Sequence, residues 1–309
     1  MFNQNQLNNL YHIKSSIKDE DFGELFIISY DNKKDKNNLY IMKRINVSSN
    51  EEKNKILEQL AKLKNIYSKY IIRIKEYFIE HLENDEIICI VIDHYDKCNN
   101  LRKIIRQNNF LDNRNIWRIF IQITLGLKSF YDNNITIDTL NPENIYIDKG
   151  YNIKLGGLGL IINYIKNKED TVSLIFNKTN EVRQNALFYI SPELLKNEKC
   201  DGKSNIWSLG CILYEMAFKS PPFGEKELKE NILNINYSLP VEDEDDFTKI
   251  LPKLICEKDK RLTLKELIYD SIFKKKIIES NMFLDGIKKD IKSKKLLYNI
   301  LFKIIIIIF

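Results

Sequence analysis

Histidine and cysteine are scarce in this 309-residue chain, which has three of one and five of the other. His12, His81 and His94 show no metal-ligand spacing, so a histidine-based metal centre is not expected. Cys89, Cys98, Cys200, Cys211 and Cys256 are odd in number and form no C-x-x-C pair. That argues against a disulfide framework and for free thiols in a reducing compartment. The opening Met1-Phe2-Asn3-Gln4 is polar where a secretory signal would be apolar, which predicts an intracellular, cytoplasmic chain. No repeat of fixed period is found. An uninterrupted apolar run is also missing: the stretch from Leu296 is broken by Asn299 and Lys303. It falls short of the roughly 18–20 residues that span a bilayer. Nor does one sign of charge dominate, since 48 basic residues face 43 acidic ones for a net +5 and a pI near 8.7. A mixed, solvated surface is expected, not a nucleic-acid groove.

What is present is globular: 44% hydrophobic and 29% charged residues, in a length that can bury a core. Residues 1–12 read as a loose polar lead. Short strands are expected at Leu25–Ile28 and Leu39–Met42, on either side of a charged Asp31–Asn38 turn. Ile56, Leu57, Leu60 and Leu63 recur at helical spacing within 51–66, and further strands are expected at Ile71–Ile79 and Ile87–Ile92. From Leu101 the pattern turns helical, beginning with the stripe Trp117, Phe120, Ile121, Thr124, Leu125. A hairpin joins Ile145–Ile147 to Ile153–Leu155 through Asp148-Lys149-Gly150. Helices then run from Pro192 to about Phe273. A small β-rich part followed by a larger helical part is an α+β architecture. Residues 274–309 form a Lys- and Ile-rich tail.

Four segments carry a resemblance. Leu140-Asn141-Pro142-Glu143-Asn144 precedes the hairpin and resembles the H-R-D-L-K-P-x-N catalytic loop of eukaryotic protein kinases. Lys154-Leu155-Gly156-Gly157-Leu158-Gly159-Leu160 is similar to the metal-binding D-F-G region, and Phe188-Tyr189-Ile190-Ser191-Pro192-Glu193 to the end of an activation segment. Lys203 to Met216 resembles the K-S-D-I-W-S-L-G run, and Pro221-Pro222-Phe223 and Arg261 complete the series. The order is the family's, over residues 13–273. Within the family, the K-L-G-x-L-G-L run, Tyr146 and the Tyr-Ile-Ser-Pro-Glu segment resemble the NIMA-related (NEK) serine/threonine kinases. The resemblance implies a two-lobed fold, with an N-lobe over 13–93 and a C-lobe over 96–273.

It also implies where phosphate-transfer chemistry should sit. The glycine-rich loop keeps Gly23 and Leu25, but Lys18 and Glu20 stand at its other glycine positions. Lys43 matches the strand lysine that holds the α- and β-phosphates; the competing reading is an exposed lysine on an edge strand. Its helix Glu partner falls on Ile56, with Glu52 one turn earlier. Ile41, Ile92, His94, Tyr95 and Tyr146 match the adenine slot and hinge. Counting back from Asn144, the base Asp becomes Thr139, which cannot take a proton at neutral pH as a carboxylate does. Asp138 stands at the Arg that receives an activation-loop phosphate, although Thr171, Ser173 and Thr179 offer hydroxyls. Gly157 stands at the metal-binding Asp, leaving Asn144 as a weak Mg²⁺ ligand.

Other family positions are kept. Ile137 and Leu158 fill the internal spine and are expected to pack on Leu60; Glu193 and Arg261 match a buried ion pair. Trp207 matches a scaffold position, and Asn205 replaces a helix Asp whose carboxylate accepts from the catalytic-loop backbone. The implied protein is a pseudokinase that binds ATP weakly, lacks its main Mg²⁺ ligand, and acts on protein partners such as an active kinase. Two rivals stay open. One is a weak serine/threonine kinase using Lys43, Asn144 and Asp138; the other is a membrane-tethered adaptor working through residues 287–309.

Overall fold

The structure is a computed structural model that describes residues 11–17, 24–30, 39–81, 86–94, 99–107, 111–135, 137, 140–156, 185–198, 201–240 and 245–280. The first third of the chain folds into strands β1 (Tyr11–Ile17), β2 (Glu24–Tyr30), β3 (Leu39–Asn46), β4 (Ile74–His81) and β5 (Glu86–Asp93). They form one antiparallel sheet in the order β1-β2-β3-β5-β4, with β3 at its centre. Successive side chains point to opposite faces. One face buries Ile28, Tyr40, Met42, Cys89 and Val91 in a cluster of its own with Tyr11. The other sends Ile45, Ile88 and Ile90 into the main core, together with helix α1 (Asn50–Lys64). Ile56, Leu60 and Leu63 make one buried stripe on α1 because they recur at four- and three-residue steps. Ser49 caps α1 by accepting the Glu52 N–H at 3.1 Å. Glu51 and Glu52 in the first turn, and Lys62 and Lys64 in the last, oppose the helix dipole.

The remainder is mostly helical. A short strand β6 (Asn99–Asn100), α2 (Leu101–Arg106) and α3 (Asn113–Tyr131) lead to a 3₁₀ turn at Pro142–Asn144. Next comes the hairpin of β7 (Ile145–Ile147) and β8 (Ile153–Leu155). After it lie α4 (Pro192–Leu195), α5 (Gly202–Phe218), α6 (Leu228–Leu233), α7 (Asp246–Leu254), α8 (Leu264–Tyr269) and α9 (Ser271–Glu279). Helix α5 is the axis of this part: every residue from Ser204 to Met216 is buried. A helix apolar around most of its girth has to be enclosed on all sides. Helix α3 packs on α5, and Trp117 of α3 stacks on Phe247 of α7 at 5.0 Å. A β-rich N-terminal part followed by a helical C-terminal part is the expected α+β architecture.

Three boundaries differ from the sequence reading. Tyr11 and His12 belong to β1, not to a loose lead, because the Tyr11 ring packs on Tyr30 and Phe78 at 5.1 and 6.4 Å. The strand expected from Ile71 begins at Ile74. Its first residues are taken by β8: the Leu155 N–H donates to the Tyr70 carbonyl at 2.8 Å, and the Ile72 N–H to the Leu155 carbonyl at 3.0 Å. Helix α9 runs past position 273, and the buried Phe273 fixes its first turn against Phe120 of α3. The expected Asp31–Asn38 turn and residues 281–309 lie outside the described residues. No described helix is long and apolar enough to cross a membrane.

Gly210 permits the closest approach of α5 to α7. A Cβ there would lie 2.8 Å from both the Leu254 Cβ and the Ile255 Cγ1. Gly210→Ala is therefore expected to cost about 1–3 kcal/mol through overpacking. Urea denaturation reads this directly; an unchanged midpoint would mean that the α5–α7 contact relaxes freely.

Candidate nucleotide and catalytic-loop site

Sheet register collects most of the expected nucleotide residues on one face. Lys43 of β3 sits between Leu25 of β2 and Ile90 of β5, and Ile41 sits between Ile27 and Ile92. Lys43 is only 5% exposed and lies at mid-sheet, which excludes the reading of a solvated edge lysine. His94 follows the end of β5 and is half-buried. The helix position expected to offer a Glu to Lys43 carries the fully buried Ile56. One turn earlier, the Glu52 carboxylate accepts the Ser48 N–H at 2.7 Å and the Ser48 hydroxyl at 2.5 Å. Gly23, Tyr95, Thr139, Gly157 and Leu158 lie outside the described residues, as do Lys18, Glu20 and Asp138.

Ile137 and Leu140 are the described residues nearest Thr139, and Gly156 is the described neighbour of Gly157. Ile137 and Leu140 are both fully buried and anchor the two sides of the Asp138-Thr139 pair. Ile137 shares the main core with Leu60. Asn205 lies on α5 with its amide fully buried. Its Nδ2 donates to the Ile137 carbonyl at 3.1 Å, and its Oδ1 accepts the Tyr131 hydroxyl at 2.7 Å. This corrects the expected sense of the bond. The amide gives a hydrogen bond to the catalytic-loop backbone, which a carboxylate at 205 could not do. Downstream, Asn141 stands where the family run carries Lys. Its Oδ1 accepts from both the N–H and the Nδ2 of Asn144, at 3.2 and 3.1 Å. The Asn144 carbonyl in turn accepts the Gly156 N–H at 2.8 Å. A Cβ on Gly156 would come within 2.8 Å of the Tyr146 ring, so this glycine is set by contact with β7.

Two buried ionic clusters hold the surrounding frame. Arg261 Nη1 and Nη2 donate to the two Glu193 oxygens at 2.6 and 3.2 Å, a bidentate pair. Its remaining donors reach the Lys203 and Cys256 carbonyls, and its guanidinium lies 4.9 Å from the centre of the Trp207 ring. Burial works to raise the Glu193 pKa, but Arg261 and the Ser204 hydroxyl outweigh it and hold the carboxyl below its ordinary value of 4.5. The second cluster escaped sequence reasoning. Arg102 of α2 donates to Glu143 at 2.8 Å, to Tyr189 at 2.5 Å and to Glu215 of α5, and the Tyr189 hydroxyl also donates to Glu215. One guanidinium thus joins the catalytic-loop turn, the segment before α4, and α5. Burial raises the Glu215 pKa more than Arg102 and Tyr189 lower it. Burial also opposes the charge on Arg102, yet Tyr189, Glu143 and Glu215 together raise its pKa. Among the described residues the buried Glu143 Oε2 finds no hydrogen-bond partner. The available signal was an acid or base inside an apolar helical run: Glu215 after Cys211–Tyr214, and Arg102 between Leu101 and Ile105.

With this geometry in place, the comparisons are direct. Residues 21–273 match the Protein kinase domain family. The chain belongs to the protein kinase family. Among its relatives, mouse serine/threonine-protein kinase Nek1 is 29% identical over 202 residues, 63% of this chain and 16% of that protein. A probable serine/threonine-protein kinase nek2 of Dictyostelium discoideum is 27% identical over 296 residues, covering 90% of this chain and 67% of that one. Human serine/threonine-protein kinase Nek2 is 27% identical over 221 residues, 67% of this chain and 47% of that protein. The chain therefore spans from about one sixth to two thirds of the length of these relatives.

The family implies a nucleotide and Mg²⁺. Leu25, Ile41 and Ile92 with the buried cation Lys43 fit an adenine slot and a phosphate charge. Of the metal donor positions, only Asn144 lies among the described residues. Asn144 directs its Nδ2 to Asn141, which leaves one neutral oxygen; position 157 has no side-chain oxygen; and no group of three acidic, His or Cys residues lies together among the described residues. Mg²⁺ sites of this kind are built on carboxylates.

Two outcomes test the frame. Asn205→Asp should lose about 1–3 kcal/mol of stability, because a donor to a buried carbonyl is replaced by a charge; an equal or higher melting temperature would refute this bond assignment. Glu193→Gln should cost about 3–5 kcal/mol at neutral pH by leaving Arg261 uncompensated. Since the folded pKa of Glu193 is depressed, its contribution is present above pH 4.5 and is lost as pH falls through the folded value. The gap between wild type and variant should accordingly narrow on acidification, and a gap that persists unchanged at low pH would contradict the assignment.

Proposed function

We propose that this chain is a catalytically impaired kinase homologue that works by binding protein partners, an active kinase among them, as a scaffold or allosteric regulator. The observation that carries this reading is the identity of two residues. Thr139 stands at the base position and Gly157 at the metal position, where phosphate transfer uses carboxylates. A slip of register is opposed by the buried Ile137 and Leu140 on either side of one, and by the Gly156 bond to Asn144 beside the other. The inner face of the sheet still offers Lys43, Ile41, Ile92 and Leu25 to a nucleotide, so weak ATP binding without a tightly held Mg²⁺ belongs to the same reading.

The burial of Lys43 also favours a second reading, a weakly active serine/threonine kinase in which Asp138 serves as the base. That assignment would draw on the NEK-named relatives. The two readings part in one experiment. Purified chain at high concentration is incubated with labelled ATP and Mg²⁺ or Mn²⁺. The proposal expects no label transfer to itself or to a general protein substrate. Transfer that disappears in Lys43→Ala and in Asp138→Asn, with both variants folded, would replace the proposal with the second reading. A thermal shift that depends on ATP but not on the metal should accompany the inactive outcome, about 2.7 kcal/mol at a hundred times Kd.

A further inference from the structure

A groove of about 720 Å³ opens in the helical part between Leu187, just before α4, and helix α6. Its apolar surface comes from Leu187, Leu228 and Leu233, and its rim carries three acids, Glu225, Glu227 and Glu230, against one cation, Lys229, with Asn234 beside them. All three acids are exposed, and among the described residues none of them is in an ion pair. Glu227 precedes α6 with a positive φ of 54°, and its side chain makes no capping bond to the helix. An apolar trough with an acidic rim fits a segment that alternates apolar anchors with cations.

This chain contains such a segment. Ile287 to Leu297 reads IKKDIKSKKLL, with five lysines and one acid around Ile287, Ile291, Leu296 and Leu297. We propose that this stretch docks in the groove of the same molecule, its lysines against Glu225, Glu227 and Glu230 and its apolar residues against Leu187, Leu228 and Leu233. The link from Ser280 to Ile287, seven residue steps, extends to about 25 Å. Tethering helps it, because a short covalent link supplies an effective concentration in the millimolar range. The charge match gives the contact a salt dependence, as both sides lie at the surface. The inference is independent of whether the chain transfers phosphate.

Zero-length carbodiimide coupling of the full-length chain tests it, since the reagent joins only carboxylates and amines already in contact. Peptide mapping of the monomeric product should find links from Lys288, Lys289, Lys292, Lys294 or Lys295 to Glu225, Glu227 or Glu230. The Lys253–Asp270 pair, 2.7 Å apart, provides an internal control that should link under the same conditions. The triple variant E225Q/E227Q/E230Q alters exposed side chains only and should retain the control link. The tail links should fall at least tenfold in a parallel variant, Lys288→Gln with Lys289→Gln, Lys292→Gln, Lys294→Gln and Lys295→Gln, when the groove carboxylates are mapped. In the triple variant, the tail lysines should lose their groove partners. The proposal is overturned if the control links form without the tail links. It is equally overturned if the tail links occur only in a dimeric product, which would assign the groove to a second copy, or if 0.5 M salt leaves their yield unchanged.

Discussion

Arg261 is 1% exposed, and a guanidinium cannot shed its charge there. Its neutralisation is the constraint around which the helical part is arranged. Five hydrogen bonds, to Glu193, Lys203 and Cys256, match its five donors. Those partners come from α4, the first turn of α5, and the second residue after α7. The one group therefore fixes the start of α5 against two other elements. Once that end is placed, Asn205 falls one turn into the helix where it meets the Ile137 carbonyl. The catalytic-loop residues are thus hung from α5 by an amide, and their position follows from a buried charge some distance away.

The Arg102 cluster works on the same principle with a different balance. Two carboxylates and a phenol surround one guanidinium, so the acid charge is in excess and burial shifts the Glu215 pKa upward. Such a centre is costly to form and costly to disrupt. It binds α2, the turn at Glu143, Tyr189 and α5 into one unit. Together with the Arg261 centre it secures both flanks of α5.

Much of this was legible in the sequence because it rests on local pattern. The stripe of Ile56, Leu60 and Leu63, the hairpin turn after Ile147, and the apolar girth of α5 each follow from spacing alone. Strand β4 was misjudged at its start because the backbone of Tyr70 and Ile72 pairs with β8, some eighty residues away, and no local signal reports such a partner. The sense of the Asn205 bond was hidden for a similar reason. An amide accepts and donates equally well, and only the position of the Ile137 carbonyl decides between them. Arg102 and Glu215 were passed over although each is a charge within an apolar helical run, and Glu143 because it reads as an ordinary surface charge until the fold brings the three together. Thr139 and Gly157 are the reverse case: they were read from sequence, and the fold describes only neighbours such as Leu140 and Gly156.

Those borders explain how such positions can change without loss of the fold. Ile137 is held by Asn205, Asn144 by Asn141, and Gly156 by the Asn144 carbonyl. Each link uses a backbone group or a neutral amide, and none calls for a carboxylate at 139 or 157. Carboxylates gathered for metal binding repel one another when the metal is absent, so a site of that kind lowers stability in its empty state. Removing the acids relieves that repulsion and leaves the hydrogen-bonded frame intact. Under the proposed reading, a chain that works through its surface needs the buried charges that order its helices and has no need of acids that serve only a metal.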